Sequence, residues 1–432
     1  MYKNKLLFFL IYTLLWPLRF FPPLFLHKLG KALGTLAFYT LTNYRKRALS
    51  NLSLAESLQL TPTQITKIAK ESFQNLVITC LEYSKLSFKK DLSRSIICEN
   101  PETAMDLIAK KQGIIFFCGH QSNWEVLFLD GTQRMPGVAI GRPIKNPFLY
   151  TWITSIRERF GGKMVTPHQA MREGFKALKQ GKFLGIVGDQ GMPESGFLST
   201  FLGRKAWTSP SPAILAYRAK CPIMVATTRR ENGKYFIRYS DPIWPDLTKS
   251  LEEEITSMMT KTLKLFEESV YLRPGQWLWQ HNRWKQETPK TVYYRYRYDS
   301  ILILLPKNPN TLTFFLKEIE VFREIYPHAF LTFAISKTAS LPPMENITIL
   351  HYEKEKDLFL KDYRYKLVFN FTSLPKLNHH FLKQSAFKVL SLEDLKNAAK
   401  EHLSTAKEWS FSDLLKRALC RPNTLWKTEN AS

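Results

Sequence analysis

GIIFFCGHQSNWEVLFLD, residues 113–130, is the stretch that decides the fold of this chain. Its apolar run at 114–118 predicts a short buried strand, and Gly119 ends that run. Residues 123–129 then show helical periodicity, with the first of them, an asparagine, as the N-cap. A strand that leads through a glycine into a helix begins an α/β unit, and it places His120 at the carboxyl end of the strand.

His120 and Glu125 stand five residues apart, and geometry limits how they can meet. On one continuous helix, five residues turn through about 500°, which leaves the two side chains roughly 140° apart. If His120 instead lies in the loop before the helix, its ring can fold back to the carboxylate. That carboxylate would fix the imidazole tautomer and stabilise the imidazolium. We therefore expect a His/Glu dyad; a structural histidine beside a solvated glutamate is the alternative, and nothing nearby completes a metal-ligand set.

The composition favours an anionic partner. The 432 residues allow two or three domains, and 62 Lys+Arg against 37 Asp+Glu give a net charge of +25. Nucleic acid, an acidic membrane surface and a phosphorylated substrate all fit that charge. The five cysteines are scattered, which favours reduced thiols and a cytosolic-side protein over a disulfide scaffold.

The N-terminus has the character of a membrane anchor. The apolar run LLFFLIYTLLW at 6–16 follows Lys3 and Lys5, but it is about half of the ~20 residues that a full span needs. A second amphipathic stretch, 27–44, leads into the basic cluster 44–47. We interpret residues 1–44 as a monotopic or single-pass anchor whose basic cluster faces acidic head groups. A buried helical hairpin is the alternative.

From residue 113 to about 240, strand-like and helix-like segments alternate, after a mostly helical region at 45–112. The predicted strands are 114–118, 138–141, 164–165, 183–188, 223–227 and 235–239. The predicted helices are 123–129, 148–160, 169–179, 212–220 and 247–270. This alternation predicts an α/β fold with a mostly parallel sheet covered by helices.

A second organisation begins after a break near 286–298. The predicted strands there are 301–305, 330–335, 347–351, 367–370 and 387–390, with a helix at 312–326. We read 299–432 as a small accessory α/β domain, with 1–44 as the anchor and 45–286 as the central domain. The small domain has no glycine-rich phosphate loop, and its His379-His380 pair is expected in a solvated loop. If this domain is an accessory, truncation near residue 290 is expected to keep the activity.

Four blocks with chemistry-bearing side chains follow one another along the chain. They are 119–125 (GHQSNWE), 141–161 (GRPIKNP, then Arg157, Arg159 and Gly161), 189–208 (DQG, then FLGRKAWT) and 277–285 (WLWQHNRWK). Together they resemble the lipid A late acyltransferases, the lauroyl/myristoyl transferase family within the lysophospholipid-type acyltransferases. That family carries G-H-x4-E, D-Q and F-F-G-x-x-A-x-T. The resemblance covers roughly residues 1–286.

The resemblance implies acyl transfer from an acyl carrier protein thioester to a hydroxyl of a Kdo-bearing lipid A precursor, without a cofactor. His120 would act as general base on the acceptor hydroxyl, and Glu125 would orient and charge-balance it. General-base help is worth about 10²–10⁴ in rate. The implied partners are the carrier protein, the lipid A precursor and the membrane, with no nucleic acid. The implied location is the bacterial inner membrane, with the catalytic domain on its cytoplasmic face.

Polar residues of the second and third blocks are candidate substrate contacts. They are Arg142, Lys145, Arg157, Arg159, Asp189, Gln190 and Arg204. Arg142 and Arg159 are candidates for the oxyanion or a phosphate. Lys145 and Arg204 are candidates for sugar phosphates, Kdo carboxylates or the acidic helix of the carrier. The pair 189–190, at a strand end, either acts in the site or caps the next turn, and Cys118 is expected to be a buried structural residue.

Two other functions remain open on these residues. One is acyl transfer to a lysophospholipid or to another glycolipid. The tryptophan-rich block at 277–285 and the glutamate of H-x4-E favour the lipid A type. The other is a non-enzymatic basic membrane-binding or nucleic-acid-binding protein, which the charge favours. The charge is spread along the chain without an RNA-binding signature, however, and H-x4-E would then have no role.

Overall fold

The computed structural model describes residues 1–89, 91–400 and 409–421. In chain order, its α-helices are α1 (Tyr2–Leu15), α2 (Pro23–Thr40), α3 (Thr42–Leu54), α4 (Pro62–Leu86), α5 (Glu102–Ala109), α6 (Glu125–Arg134), α7 (Pro147–Arg157), α8 (Ala170–Lys179), α9 (Ser211–Ala219), α10 (Leu251–Leu272), α11 (Pro309–Leu316), α12 (Val321–Ile325), α13 (Lys376–Lys383), α14 (Leu392–Lys400) and α15 (Phe411–Leu419). The strands are β1 (Ile96–Cys98), β2 (Ile114–Cys118), β3 (Gly137–Ile140), β4 (Lys163–Val165), β5 (Phe183–Val187), β6 (Phe197–Phe201), β7 (Arg204–Thr208), β8 (Ile223–Glu231), β9 (Lys234–Tyr239), β10 (Ser300–Leu304), β11 (Phe330–Ser336), β12 (Ile347–Tyr352), β13 (Leu367–Asn370) and β14 (Lys388–Ser391). The expected α/β class is confirmed.

The first compact unit comprises residues 1–41, 55–59 and 66–283. It contains a seven-stranded sheet in the order β1-β9-β8-β2-β5-β3-β4. The pairings are parallel except between β8 and β9. All five residues of β2, at the centre, are buried, as expected for a strand covered on both faces. The mostly parallel sheet predicted from the sequence is therefore confirmed.

The register of β2 and β5 decides where the polar residues after them lie. The two strands pair in parallel, from Ile114 opposite Phe183 to Cys118 opposite Val187. Because both strands run in the same direction, the residues that follow them emerge at the same edge of the sheet. Residues 120 and 189 each lie two positions past these paired ends, so the sheet brings them to the same level.

One hairpin escaped the sequence analysis. β6 and β7 pair antiparallel, with only Leu202 and Gly203 between them. Both residues have positive φ, 48° and 82°. A two-residue turn with both central residues at positive φ usually has the sequence Asn-Gly or Asp-Gly. Leucine in the first position removes that signal.

The N-terminal helices α1 and α2 pack on other helices of the first unit. Phe8 and Tyr12 of α1 lie against Trp152 of α7, with ring centroids 6.4 and 5.9 Å apart. The helix α2 packs closely on α4 through Gly34, where an added Cβ would lie 2.4 Å from Gln74 Cα. Among the described residues, none of the helices combines the length and hydropathy that a bilayer crossing requires. The anchor stays a prediction.

The second compact unit comprises 42–54, 60–65 and 284–432. Its five-stranded sheet has the order β12-β11-β10-β13-β14, and its pairings are parallel. The strand-and-helix rhythm expected after residue 299 is thus present. The unit begins earlier, at Trp284, and includes α3, which the sequence analysis had divided between the anchor and the central domain.

The carboxyl edge of this second sheet shows how its polar groups are used. The strand order reverses between β10 and β13, the place where such sheets commonly bind ligands. Asn308, however, caps α11 by accepting from the N–H groups of Asn310 and Thr311, at 2.9 and 3.4 Å. The prediction that His379-His380 lies in a solvated loop is wrong: both residues lie on α13, where His380 Nε2 is 2.7 Å from Leu360 O.

We expect truncation after residue 286 to destabilise the chain, because it removes the partners of α3. Ser50 Oγ of that helix donates to Arg364 O at 2.7 Å, and Ala48, Leu49 and Leu52 are buried. Each large apolar side chain returned to water costs about 1.5–3 kcal/mol. Thermal unfolding and size-exclusion chromatography would test this. A truncated chain that stays monodisperse and melts at the full-length temperature would contradict it.

Candidate functional site

Two glycines allow the ends of β2 and β5 to come together. At Gly119 an added Cβ would lie 2.1 Å from the Phe266 ring and 2.9 Å from Asp189 Oδ2. At Gly188 it would lie 2.2 Å from the Phe117 ring. Since real Cβ atoms do not approach so closely, a larger residue at either position would force these neighbouring side chains to move.

Asp189, and not Glu125, holds His120. His120 Nδ1 lies 2.8 Å from Asp189 Oδ1, and the His120 backbone N–H donates to Oδ2 at 2.7 Å. Trp277 Nε1 also donates to Oδ2, at 2.8 Å. Burial alone would raise the pKa of Asp189, but the charge and hydrogen bond of His120 hold it well below the usual range. An ionised carboxylate accepts only, so Nδ1 carries a proton, and in the neutral imidazole the lone pair is then on Nε2.

Glu125 makes a different pair from the one that H-x4-E suggests. Arg157 donates to it through Nε at 2.7 Å and Nη2 at 2.6 Å, and Trp124 Nε1 donates at 3.0 Å. Burial would raise the pKa of Glu125, but the charge and hydrogen bonds of Arg157 lower it overall. Asn123 is not the N-cap residue of α6, which begins at Glu125 after Trp124. Its side chain still accepts from the helix start, since the Glu125 N–H donates to Asn123 Oδ1 at 3.2 Å. The expected contact between Glu125 and His120 is therefore wrong, because the first turn of α6 directs this carboxylate to a guanidinium.

The other predicted contact residues divide into two groups. Arg142 and Gln190 line the same cavity as His120. Arg159 does not line it; its Nη1 and Nη2 donate at 2.6 Å to the carbonyls of Leu86, Ser87 and Lys89, at the end of α4. This is the role of an arginine at a helix C-terminus.

Lys145 and Arg204 are also outside the lining of that cavity. Lys145 is exposed in the loop before α7. The Arg204 side chain forms an ion pair with Glu56 and is 14% exposed. The structure therefore does not bring these two basic residues to His120.

Sequence reasoning missed two residues beside His120. The rings of Trp124 and His281 lie 4.9 and 4.5 Å from its ring, centroid to centroid. His281 also contributes to the low pKa of Asp189 through its charge. Both residues stand inside quoted blocks, yet nothing in their spacing signalled that they meet at one point.

A cavity of about 570 Å³ lies under His120, against one face of the sheet. Small residues leave space there: Ala139 of β3 pairs with Gly185 of β5, and Ala226 lies on β8, on the other side of β2. Along β5 the lining extends from residue 188 back to 183, a length of about 17 Å at ~3.3 Å per residue. Glu125 and Arg157 also line it. A volume in this range suits a small-molecule ligand, and the mostly apolar walls suit a hydrocarbon.

Cys118 lines this cavity and is buried. Burial raises the pKa of its thiol far above the usual range, and repulsion from Asp189 and Glu125 raises it further, which disfavours the nucleophilic thiolate. The expectation that it is a buried residue is confirmed.

We predict that Arg157→Met destabilises the fold by about 3–5 kcal/mol, because it leaves the Glu125 carboxylate buried without its partner. The Glu125 side chain is 4% exposed. The matched control is Arg172→Met, which removes an ion pair from a side chain that is 78% exposed and should cost no more than about 1 kcal/mol. Denaturant unfolding of both variants measures the difference.

The same measurement has a pH dependence. Because folding lowers the pKa of Glu125, its contribution to stability is complete above the unfolded-state pKa of about 4.3. It is lost as the pH falls through the lower folded pKa. The gap in stability between wild type and Arg157→Met should narrow over that acidic range, and a gap that is independent of pH would contradict the assignment.

Comparison with known proteins identifies the chain. Residues 2–286 match the family model described as bacterial lipid A biosynthesis acyltransferase. None of the curated proteins compared with the chain matches it. The matched range contains the sheet, the pair His120–Asp189, the pair Glu125–Arg157 and the cavity beneath them. This chain belongs to the bacterial lipid A biosynthesis acyltransferase family.

Proposed function

We propose that the protein transfers a fatty acyl chain from an acyl carrier protein thioester to a hydroxyl of a Kdo-bearing lipid A precursor. One observation carries this proposal within the family. His120, held by the buried Asp189, stands at an apolar cavity large enough for a hydrocarbon chain. No cofactor is needed for this reaction, since a thioester is already an activated acyl donor.

His120 Nε2 acts as the general base. The acceptor hydroxyl oxygen attacks the thioester carbonyl carbon as its proton passes to Nε2. Asp189 keeps Nδ1 protonated and stabilises the imidazolium that forms. When the tetrahedral intermediate collapses, the C–S bond breaks and the imidazolium returns the proton to the leaving thiolate. The products are the ester and the free carrier thiol.

Arg157 supplies positive charge where the oxyanion develops. Its guanidinium lines the cavity together with His120, and Glu125 fixes it with two parallel hydrogen bonds. A preorganised donor of this kind is worth about 2.7–4 kcal/mol in a water-poor site. In this mechanism Glu125 remains catalytic machinery, but it acts through Arg157 instead of through His120. Arg142, at the same cavity, is the second candidate donor.

The basic residues outside the cavity provide contacts for the rest of the two substrates. Lys145 is exposed and free to meet a phosphate, a Kdo carboxylate or the acidic surface of the carrier. Arg204 would have to exchange its ion pair with Glu56 for such a contact. Gln190 lies close to His281, with side-chain nitrogens 3.4 Å apart, and is a candidate contact to the acceptor sugar.

We further propose that the N-terminal helices attach the enzyme to the cytoplasmic face of the bacterial inner membrane. On α2, one face packs on α4, while Leu24, Phe25, Leu33, Leu36 and Tyr39 are exposed. Several apolar residues of α1 are exposed as well. Exposed apolar residues of this kind, with lysines near them in the sequence, suit an acidic lipid bilayer, where both the acceptor and the anionic head groups are found.

We predict that His120→Ala abolishes transfer and that Asp189→Asn lowers kcat by about 10²–10⁴, because the asparagine holds the wrong tautomer. His168→Ala, an exposed histidine in the same unit, is the control and should keep wild-type activity. The assay offers thioesters of several chain lengths with a Kdo-bearing lipid A precursor. Retention of more than roughly a tenth of the activity by His120→Ala would refute the general-base role. If the protein transferred the acyl chain only to a lysophospholipid, the proposed lipid A acceptor would be wrong.

We predict that Ala139→Leu shifts the preferred donor to a shorter acyl chain. The larger side chain would fill space beside Gly185 on the face that lines the cavity. One methylene in an apolar pocket is worth about 1–3 kcal/mol, so kcat/KM for the longest accepted chain should fall by 10-fold or more. Competition between thioesters of different lengths measures the shift. An equal loss for all lengths would place the acyl chain elsewhere.

A further inference from the structure

The loop that presents His120 is held from outside. Ser122 has a φ of 50°, in the left-handed region that residues other than glycine seldom occupy. Its N–H donates to Gln276 O at 2.6 Å, and its carbonyl accepts from Asn75 Nδ2 at 3.0 Å and Thr79 Oγ1 at 2.9 Å. Such a backbone persists only where its surroundings hold it. The helix α4, which carries Asn75 and Thr79, is therefore one support of this loop.

Glu82, on the same helix, is the charged centre of this support. It is 7% exposed. Its Oε1 lies 2.7 Å from His27 Nε2, while Oε2 accepts from Asn123 Nδ2 at 2.9 Å and from the Tyr235 hydroxyl. Burial would raise its pKa, but the hydrogen bond from His27 and the charge of Arg230 lower it overall. The ionised carboxylate accepts from all three neighbours.

His27 belongs to α2, whose buried face fits closely on α4. His27, Gly30 and Gly34 follow the i, i+3, i+7 spacing of one helix face. An added Cβ at Gly30 would lie 2.5 Å from Ile78 Cγ1, and one at Gly34 would lie 2.4 Å from Gln74 Cα. The two glycines thus let α2 approach α4 closely enough for the imidazole to reach the carboxylate.

Asn123 connects Glu82 to Glu125. Its side-chain nitrogen bonds Glu82, and its side-chain oxygen accepts from the N–H of Glu125, at 3.2 Å. Glu125 opens α6 and holds Arg157. A continuous series of hydrogen bonds therefore connects His27 on α2, through Glu82 and Asn123, to Glu125 at the end of the His120 loop. Glu82 itself is not in the lining of the cavity, so it acts only through its neighbours.

We propose that Glu82 is a positioning residue for acyl transfer and that His27 sets its orientation, so that the seating of α2 on α4 holds the His120 loop in its reactive geometry. This inference rests on the proposed acyl transfer with His120 as base. It adds a second role to α2: the helix whose outer face is proposed to meet the membrane also supports the loop that carries the base. A misplacement of about 1 Å at a reacting group costs about a hundredfold in rate.

The test compares three variants of the full chain. His27→Leu removes the donor to Glu82, and His27→Gln keeps an N–H that can replace it. Thr35→Val is the matched control, because it removes another hydrogen bond between α2 and α4, from Gln74 Nε2 to Thr35 Oγ1 at 2.9 Å, that is not joined to the loop. We expect His27→Leu to lower kcat about ten- to a hundredfold with little change in KM. His27→Gln should restore most of kcat, and Thr35→Val should match wild type.

A second readout does not depend on activity. Hydrogen exchange of the amides in 119–125 should be faster in His27→Leu than in wild type and unchanged in Thr35→Val. Wild-type kcat in His27→Leu, or an equal loss in Thr35→Val, would overturn the positioning role. If the wild-type protein shows no His120-dependent transfer, the proposed function fails instead. In that case hydrogen exchange is the only test of the positioning role, and an unchanged exchange rate of these amides in His27→Leu would overturn it.

Discussion

The bonds to the carboxylate of Asp189 are the interaction on which the rest of the site depends. Three donors converge on it: the backbone N–H and Nδ1 of His120 and the indole N–H of Trp277. They join the ends of two central strands to the segment after α10. A buried carboxylate is stable only when such donors replace its lost water. His120 also lines the cavity, so one arrangement satisfies a buried charge and fixes the imidazole that we propose as the base.

The two acidic residues of the site bind different partners because their neighbours differ. Asp189 meets an imidazole at a strand end, whereas Glu125 meets a guanidinium from α7. A planar guanidinium matches both oxygens of a carboxylate, which a single imidazole nitrogen cannot do. Glu125 at the start of α6 is thereby committed to Arg157. His120 and the pair Glu125–Arg157 line one cavity, and in the proposed mechanism the first provides a base and the second a fixed positive charge.

Local pattern predicted most strands and helices but not which of their ends would meet. The apolar runs at 114–118 and 183–188 identified β2 and β5, and both polar ends were noted. That these two strands are neighbours depends on the order of the whole sheet, which no local spacing contains. The five-residue spacing of H-x4-E drew attention to the nearer carboxylate for the same reason. The sequence pattern divides helix α3 between the anchor and the central domain. Its hydrogen-bond partners lie more than 300 residues away along the chain, at Arg364 and Ala386, where no local pattern could indicate them.

The small residues beneath His120 leave unfilled space on one face of the sheet. Ala139, Gly185 and Ala226 occupy positions in strands where larger β-branched residues would pack better and stabilise the sheet. Unfilled apolar space lowers stability in proportion to its volume. In the same unit, buried networks around Glu82 and Asp189 join helices and strands from distant parts of the chain. Such fully bonded charges fix a unique geometry around a cavity that contributes no packing of its own. In the proposed function, a hydrocarbon chain entering from His120 would restore the missing contacts, so the acyl substrate would complete this face of the core.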